Sequence, residues 1–375
     1  MTANPGTPTY QSRPDTGLKE HERYTFMGWI TKKDFINQNS GNPTIIDLSA
    51  IYVNQGTISE LYPYYEVEDA TKVASNIDFF LFKEETINFS QVYFTHENSA
   101  ETTDRTISLP NEYVIEVKPE YRAFLSGKIT LPSKDKNGRP VTAIGKLSDG
   151  SNGVTHVYFM PDTQVKVLGH VDHVISGFYG LSNLTTVYFP TGVTTLKYIG
   201  NMCFANLEKL EKIINLPDSI EHIDNMAFNW CTSLEFIKLP TSLKYVGSAG
   251  FLGCSKMSIE VLPHGYTQIL PQTFNYCDKV KVGHFGNSTG GAATAIDNNV
   301  THIGDSAFEM NGNTIISEIY LHDSLTYIGR SSFNNYGTKK DFIIYNGSRG
   351  LVDNSNYDLY FGSRDLPTII DTDSH

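Results

Sequence analysis

LKYIGNMCF at residues 196–204, IEHIDNMAF at 220–228, LKYVGSAGF at 243–251, VTHIGDSAF at 300–308 and LTYIGRSSF at 325–333 are five copies of one pattern. Each is an apolar-x-x-apolar tetrad, usually followed by Gly, with a Phe four or five residues further on. Phe204, Phe228, Phe251 and Phe274 are spaced by 24, 23 and 23 residues. A fixed period in this range means that one supersecondary unit stacks on the next, which is a solenoid. A solenoid presents an extended surface, so the pattern points to binding before catalysis.

Between the copies lie short strand-like runs that end in Pro. In EFIKLP (235–240) alternation turns Ile237 and Leu239 inward and Phe236 and Lys238 outward. Pro190, Pro217, Pro240 and Pro263 follow such runs and stop them, because Pro donates no ladder hydrogen bond. The spacing from Phe274 to Phe308 is 34, some ten residues too long. The surplus is read as the Gly-rich VGHFGNSTGGAATA (282–295), an insertion of the kind that forms a loop on one face of a repeat array.

The segment LEFIKLPTSLKYVGSAGFLGC (234–254) resembles, nearly residue for residue, the frame of the BspA-like leucine-rich repeat family of bacterial surface proteins. That frame reads Leu-x-x-Ile-x-Leu-Pro-x-Ser-Leu-x-x-Ile-Gly-x-x-Ala-Phe-x-x-Cys. The resemblance begins at GKITLPSKDKNGRPVTAIG (127–145) and covers roughly two-thirds of the chain. It implies a leucine-rich-repeat solenoid, display outside the bacterial cell and recognition of a protein or glycan.

Near the start, RYTFMGW (23–29) and SELYPYYE (59–66) resemble the Listeria–Bacteroides repeat, the small β-grasp module of internalin B-type proteins. Tyr24, Thr25, Phe26, Gly28 and Trp29 match its first motif, with Arg23 in place of a Gly. Leu61 and Tyr62 match the second, and Tyr65 stands where the family has Trp. Between this module and the repeats, IDFFLF (77–82), INFSQVYF (87–94) and EYVIEV (112–117) read as strands of a β linker that covers the open end of the solenoid.

Composition narrows the function classes. The 375 residues carry a net charge of −12 with no long basic run, which argues against nucleic acid as a partner. No stretch approaches the roughly 18–20 apolar residues of a membrane span. Residues 1–23 are polar and Pro-rich, so no signal peptide is visible. With Met1 at the start, two origins are expected: an expressed piece of a larger surface protein, or a bacteriophage virion component such as a tail or capsid fibre. LPTII (366–370) is a poor match to a cell-wall sorting signal, lacking the cleavage pair, the apolar tail and basic residues.

Candidate chemistry is sparse. Cys231, Cys254 and Cys277 recur three residues after a core Phe, in a row rather than converging on a point as zinc requires. They read as a buried, reduced ladder, with Cys203 in a different slot. His222 and His302 share a tetrad slot with Tyr198, Tyr245, Gln268 and Tyr327, a ladder of large polar-tipped side chains that shields the solenoid's side. HVDH (170–173) lacks a helical frame to align its ligands. GNSTG (286–290) has the string of a nucleophile elbow without the strand, helix and triad that the elbow needs. The repeats show no recurrent carboxylate pair of the glycosidase kind.

These readings converge on a mainly β chain. A β-grasp-like module spans 1–69, a β linker or cap 70–126, a BspA-like leucine-rich-repeat solenoid 127–346 and a C-terminal cap 347–375. It is expected to be non-enzymatic, without metal or cofactor, and extracellular, on a bacterial surface or a phage virion. Its partner would be a protein or glycan on a host or bacterial surface, and in a virion other virion proteins. The outward strand residues Tyr158, Tyr188, Lys238 and Tyr320, or the loop from Asn287 to Thr294, are the expected contact surface. Tyr offers broad contact at low entropic cost, and a rigid strand face is favoured over a Gly-rich loop that must be ordered on contact.

Overall fold

The computed structural model describes the backbone of residues 22–31 and 61–69. From 77 to 371 it describes all but 96–99, 123–124, 151–152, 170–176, 236–237, 287–297, 311–315, 336–341, 348–349, 354 and 363–367. The chain divides into two compact units at Asp78/Phe79. In the first, β1 (Glu22–Thr31) pairs antiparallel with β2 (Leu61–Asp69), with a bulge between Phe26 and Gly28. Both aromatic motifs lie in this pair, Phe26 opposite Tyr65 and Ile30 opposite Tyr62. The remainder of the β-grasp topology expected for 1–69 lies outside the described residues.

The second unit is the solenoid, built from two series of short parallel strands. An outer series contains Ser126–Leu131, Gly153–Phe159, Thr186–Tyr188, Lys212–Ile214, His284–Phe285, Glu318–Leu321, Ile343–Asn346 and Thr368–Asp371. A flank series contains Ala143–Ile144, Val167–Leu168, Tyr198–Ile199, His222–Ile223, Tyr245–Val246, Gln268–Ile269, His302–Ile303 and Tyr327–Ile328. The second residue of each flank strand is buried, and so are Leu131, Phe159, Leu239, Leu262, Phe285 and Leu321 at the ends of the outer runs. The core is the space between the two series. After the outer runs Pro opens a turn: the Ile220, Leu243 and Tyr266 N–H groups donate to the carbonyls of Pro217, Pro240 and Pro263.

Down this core runs a column of phenylalanines. Phe178, Phe204, Phe228, Phe251, Phe274, Phe308, Phe333 and Phe361 are all fully buried. Successive rings stack at centroid distances of 4.5 to 5.8 Å with planes within 17°. Phe361 belongs to a short helix, Tyr357–Phe361, which brings the last ring of the column onto Phe333. Beyond it, Thr368–Asp371, the end of the LPTII stretch, adds a parallel strand to Ile343–Asn346. All four cysteines are buried free thiols. Cys231, Cys254 and Cys277 donate S–H to the carbonyls of Phe204, Phe228 and Phe251, each on the preceding rung, at 2.9 to 3.1 Å. Burial pushes the Cys203 thiol up to about 12, so it stays protonated.

One reading of the sequence is corrected. Residues 282–286 are not part of an inserted loop. His284–Phe285 pairs parallel with Tyr320–Leu321, and Val282 and Phe285 are buried, so this stretch is a rung like the others. Phe274 and Phe308 stack directly at 5.2 Å, and the extra length leaves the column unbroken.

β3 (Phe80–Phe94) and β4 (Thr102–Val117) form a long antiparallel hairpin. At its base Val114–Ile115 of β4 pairs parallel with Ala143–Ile144, continuing the flank sheet. A bulge between Glu85 and Ile87, with Pro110 and the left-handed Asn111 (φ 60°) opposite, then bends the hairpin. Its tip runs across the flank strands. Phe89 stacks on Tyr198 at 5.0 Å and Phe94 on His302 at 5.0 Å. Five residues of strand span about 17 Å, close to the roughly 19 Å of the four rung steps between Tyr198 and His302. The free edge of β3 is met by side chains in place of another strand. Val92 N–H donates to the Tyr245 hydroxyl (3.0 Å), and Phe94 N–H to Gln268 Oε1 (2.9 Å). Gln268 Nε2 donates back to the Phe94 carbonyl (3.1 Å). The ladder of polar-tipped side chains is thus covered by the chain's own β3.

Under the hairpin His222 is 1% exposed, with Gln91 Nε2 at 2.6 Å from its Nδ1. An amide NH2 only donates, so Nδ1 accepts and the ring proton sits on Nε2. Burial drives the imidazole down to about 3. The buried Asp224, which accepts from the Asn225 N–H at 2.7 Å, is pushed up by burial to about 6. A depressed His takes its proton first in the unfolded chain, so stability is lost as pH falls below 6.5. A raised Asp takes its proton first in the folded chain, so stability is gained as pH falls from about 6 towards 3.8. Over that window the two oppose. Relative to the parent, Asp224→Asn should lose about 1.4 kcal/mol of stability per pH unit of acidification. His222→Gln should gain a similar amount. Urea unfolding at pH 6.5, 5.5 and 4.5 reads both; three parallel profiles would contradict this assignment.

Candidate binding surfaces

The outward residue of each outer rung stands just before the last inward one, and the register lines these positions into a column. Thr130, Tyr158, Tyr188 and Ile214 are in register, as are His284, Tyr320, Tyr345 and Ile370. Lys238 and Val261, before Leu239–Pro240 and Leu262–Pro263, hold the same place in the frame. Alternation fixes these side chains on the surface while their neighbours enter the core. Val261 and Ile370 are 42% and 39% exposed, large apolar groups left on the outside.

The aromatic members pack into two clusters. Tyr158 and Tyr188 stack at 4.5 Å with planes 4° apart, and His156 lies alongside at 6.4 and 6.2 Å. Tyr320 is sandwiched between His284 and Tyr345, at 4.3 Å from each and within 6° of parallel. His284 Nδ1 approaches His322 Nε2 at 3.2 Å, so one imidazole donates and the other accepts. Burial and the Glu318 carboxylate push the Tyr320 phenol up, so it stays a neutral hydroxyl. Lys238 is exposed and pairs with Asp218 at 3.2 Å. A surface pair of this kind is worth about 0–1 kcal/mol, which leaves the lysine's charge available.

Of the residues expected to make contact, Tyr158 and Tyr188 come together, Tyr320 joins a second cluster, and Lys238 stands in the frame between them. Asn287 and Thr294 lie outside the described residues, as do HVDH (170–173) and all of GNSTG after Gly286. His156, His284, His322 and Tyr345 enter the surface unexpectedly. The frame itself marks three of them: His284 precedes Phe285, Tyr345 precedes Asn346, and His156 lies two residues before Tyr158. Among the described residues no group of three or more His, Cys, Asp or Glu could hold a metal ion, and no helix is long and apolar enough to cross a membrane.

A family profile described as a BspA type leucine rich repeat region, in six copies, matches residues 175–281 and 278–358. No curated protein matches. Among solved structures, a leucine rich repeat protein of T. pallidum is similar at 22% identity, over 60% of this chain and 81% of that one, with a TM-score of 0.39. A leucine rich cell surface protein from Faecalibacterium prausnitzii is similar at 16% identity, over 76% and 96%, with a TM-score of 0.39. The pneumococcal vaccine antigen PcpA is similar at 15% identity, over 77% and 87%, with a TM-score of 0.32. With the Pro-ended outer strands, the Phe column from Phe178 to Phe333 and the Cys ladder falling inside the matched region, the solenoid of this chain belongs to the BspA-type leucine-rich repeat family.

Proposed function

We propose that this chain is a non-enzymatic recognition protein displayed at a bacterial surface, and that it binds a protein partner through the outer strand face. The location rests on membership of the BspA-type family. The choice of face rests on the column of outward aromatics. Their geometry favours protein over glycan. A sugar stacks on an open ring face, whereas here the faces are turned towards neighbours along the column: Tyr188 against Tyr158, and Tyr320 between His284 and Tyr345. What remains outward is a row of ring edges and hydroxyls, with Ile214, Lys238, Val261 and Ile370 between and beyond them. Rigid aromatic edges, hydrogen-bonding tips and scattered apolar groups are the composition of a protein-contacting patch.

The test is binding of the labelled protein to bacterial and host cells pretreated with protease or with glycosidases. The reading expects a protease-sensitive component that the Tyr188→Ala, Tyr320→Ala double variant loses at least tenfold, about 1.4 kcal/mol. Tyr188→Ala removes the stack on Tyr158 and Tyr320→Ala the stacks on His284 and Tyr345, each worth about 0.5–1.5 kcal/mol and all on the surface, so the fold should survive. An unchanged protease-sensitive component in the double variant would reduce this face to plain solvent-facing sheet.

A further inference from the structure

Two residues after most of the column phenylalanines the backbone turns left-handed, at Asn206 (φ 60°), Trp230 (φ 58°), Gly253 (φ 77°), Tyr276 (φ 57°) and Asn335 (φ 58°). Gly and Asn are the residues this conformation favours, and aromatic side chains are strained in it. Asn206, Gly253 and Asn335 show that the turn itself needs no ring. Yet two of the rungs carry one, Trp230 and Tyr276, with the bare glycine between them. Left-handed backbone recurs two residues before the column phenylalanines as well, at Met202, Met226, Ala249, Gln272, Ser306 and Ser331, so it belongs to the fold, and what singles out Trp230 and Tyr276 is the rings they carry.

The three rungs are fixed by rung-to-rung hydrogen bonds, from Trp230 N–H to the Leu252 carbonyl (2.7 Å), Gly253 N–H to Asn275 (2.8 Å) and Tyr276 N–H to Glu309 (2.8 Å). A Cβ on Gly253 would stand 2.8 Å from Trp230 Cε3 and 2.9 Å from Cδ2, so the indole lies across the glycine rung. It is nevertheless 44% exposed. The Tyr276 ring follows at 6.4 Å, tilted by 38°. The result is an open corner, an indole floor with a phenol wall. Unlike the rings of the outer column, this indole has a glycine below it and no ring stacked on its other face among the described residues.

We propose that Trp230, Gly253 and Tyr276 form a saccharide-binding subsite, on a different face from the outer strands, that takes one or two neutral sugar rings. The C–H face of a pyranose is apolar and flat and matches an exposed indole, while its rim of hydroxyls needs polar neighbours. Here the adjoining rungs supply polar groups: the exposed Asn206, whose N–H donates to the Asn229 carbonyl, and Glu309, whose carboxylate accepts from the Asn275 amide at 3.5 Å. Residues 205–206, 229–230, 252–253 and 275–276 include no ionisable acid or base other than the Tyr276 phenol. The side-chain carbonyl oxygens of Asn229 and Asn275, the residues just before the two rings, are buried, so the sugar's hydroxyls fall to Asn206 and Glu309. A protein contact of the same size would be expected to have an apolar surround in place of Asn206 and Glu309.

The chain contains two tryptophans, Trp29 and Trp230, so a Trp29→Phe variant reports on the platform alone. Its emission is titrated with neutral oligosaccharides: cello-, malto-, manno- and galacto-oligosaccharides. At least one series should shift or quench the emission with millimolar affinity. Gly253→Ala, which displaces the indole, should weaken that binding at least tenfold. Trp230→Asn, followed by calorimetry because it is optically silent, should abolish it and melt no lower than the parent, since Asn already occupies this slot at 206 and 335. The Tyr188→Ala, Tyr320→Ala variant should bind sugar as before. No response to any series, or sugar binding unchanged in Trp230→Asn, overturns the proposal. So does an emission shift produced only by a cell-surface extract and removed by protease treatment of that extract, which would assign the platform to a protein.

Discussion

Phe251→Ala should lower the unfolding free energy by about 3–5 kcal/mol, the cost of a large-to-small change in a core that cannot close around the gap. Phe251 is fully buried between Phe228 at 5.2 Å and Phe274 at 5.7 Å, with planes within 7° of both. Its neighbours cannot slide into the space. Their spacing is set by backbone bonds from Phe228 N–H to the Gly250 carbonyl and from Phe251 N–H to the Thr273 carbonyl. Each repeat leans on the next, so the array should lose cooperativity at this rung first. Urea unfolding measures the loss. A change below about 0.5 kcal/mol, the size of an ordinary surface substitution, would remove Phe251 from the column.

The second large effect concerns the hairpin. Phe89 is fully buried against Tyr198 and His222, and Phe94 against His302 and Tyr327. Losing both rings, at about 3–5 kcal/mol each, exceeds what the side-chain hydrogen bonds from Tyr245 and Gln268 restore at about 0.5–1.5 kcal/mol apiece. In a Phe89→Ala, Phe94→Ala variant the tip should therefore leave the flank. Hydrogen exchange should show 87–94 and 102–109 losing protection while 112–117, held by pairing with Ala143–Ile144, keeps it. Loss of protection throughout 143–333 would instead make the hairpin a condition for folding of the whole array.

What could be read from the sequence was whatever repeats. The Phe column, the Cys ladder and the Pro-ended strands recur every 23 or 24 residues, and an apolar period is visible without knowing what it touches. Tyr158, Tyr188 and Tyr320 were legible as outward residues for the same reason. Tyr345 was hidden because its rung reads FIIYN, with the polar Asn346 at the buried place where other rungs carry an apolar residue. His284 was hidden because a Gly-rich run follows its rung and drew the whole stretch into the loop. The docking of β3 joins residues 131 to 174 apart, and a contact of that range has no local signature. Trp230 was missed for another reason. Its interest lies in an exposed ring laid over Gly253, and the left-handed slot that holds it is betrayed in sequence only by Gly180, Asn206, Gly253 and Asn335.

The claim that the outer strand face meets a protein partner is tested most directly by site-specific photo-crosslinking. Benzoylphenylalanine is placed singly at positions 188, 345, 198 and 327, and the protein is irradiated on intact cells. The outer positions 188 and 345 should give one protease-sensitive adduct of common mass. Positions 198 and 327, beneath β3 on the flank, should give none. Adducts from the flank positions with none from 188 or 345 would contradict the assignment of the binding face.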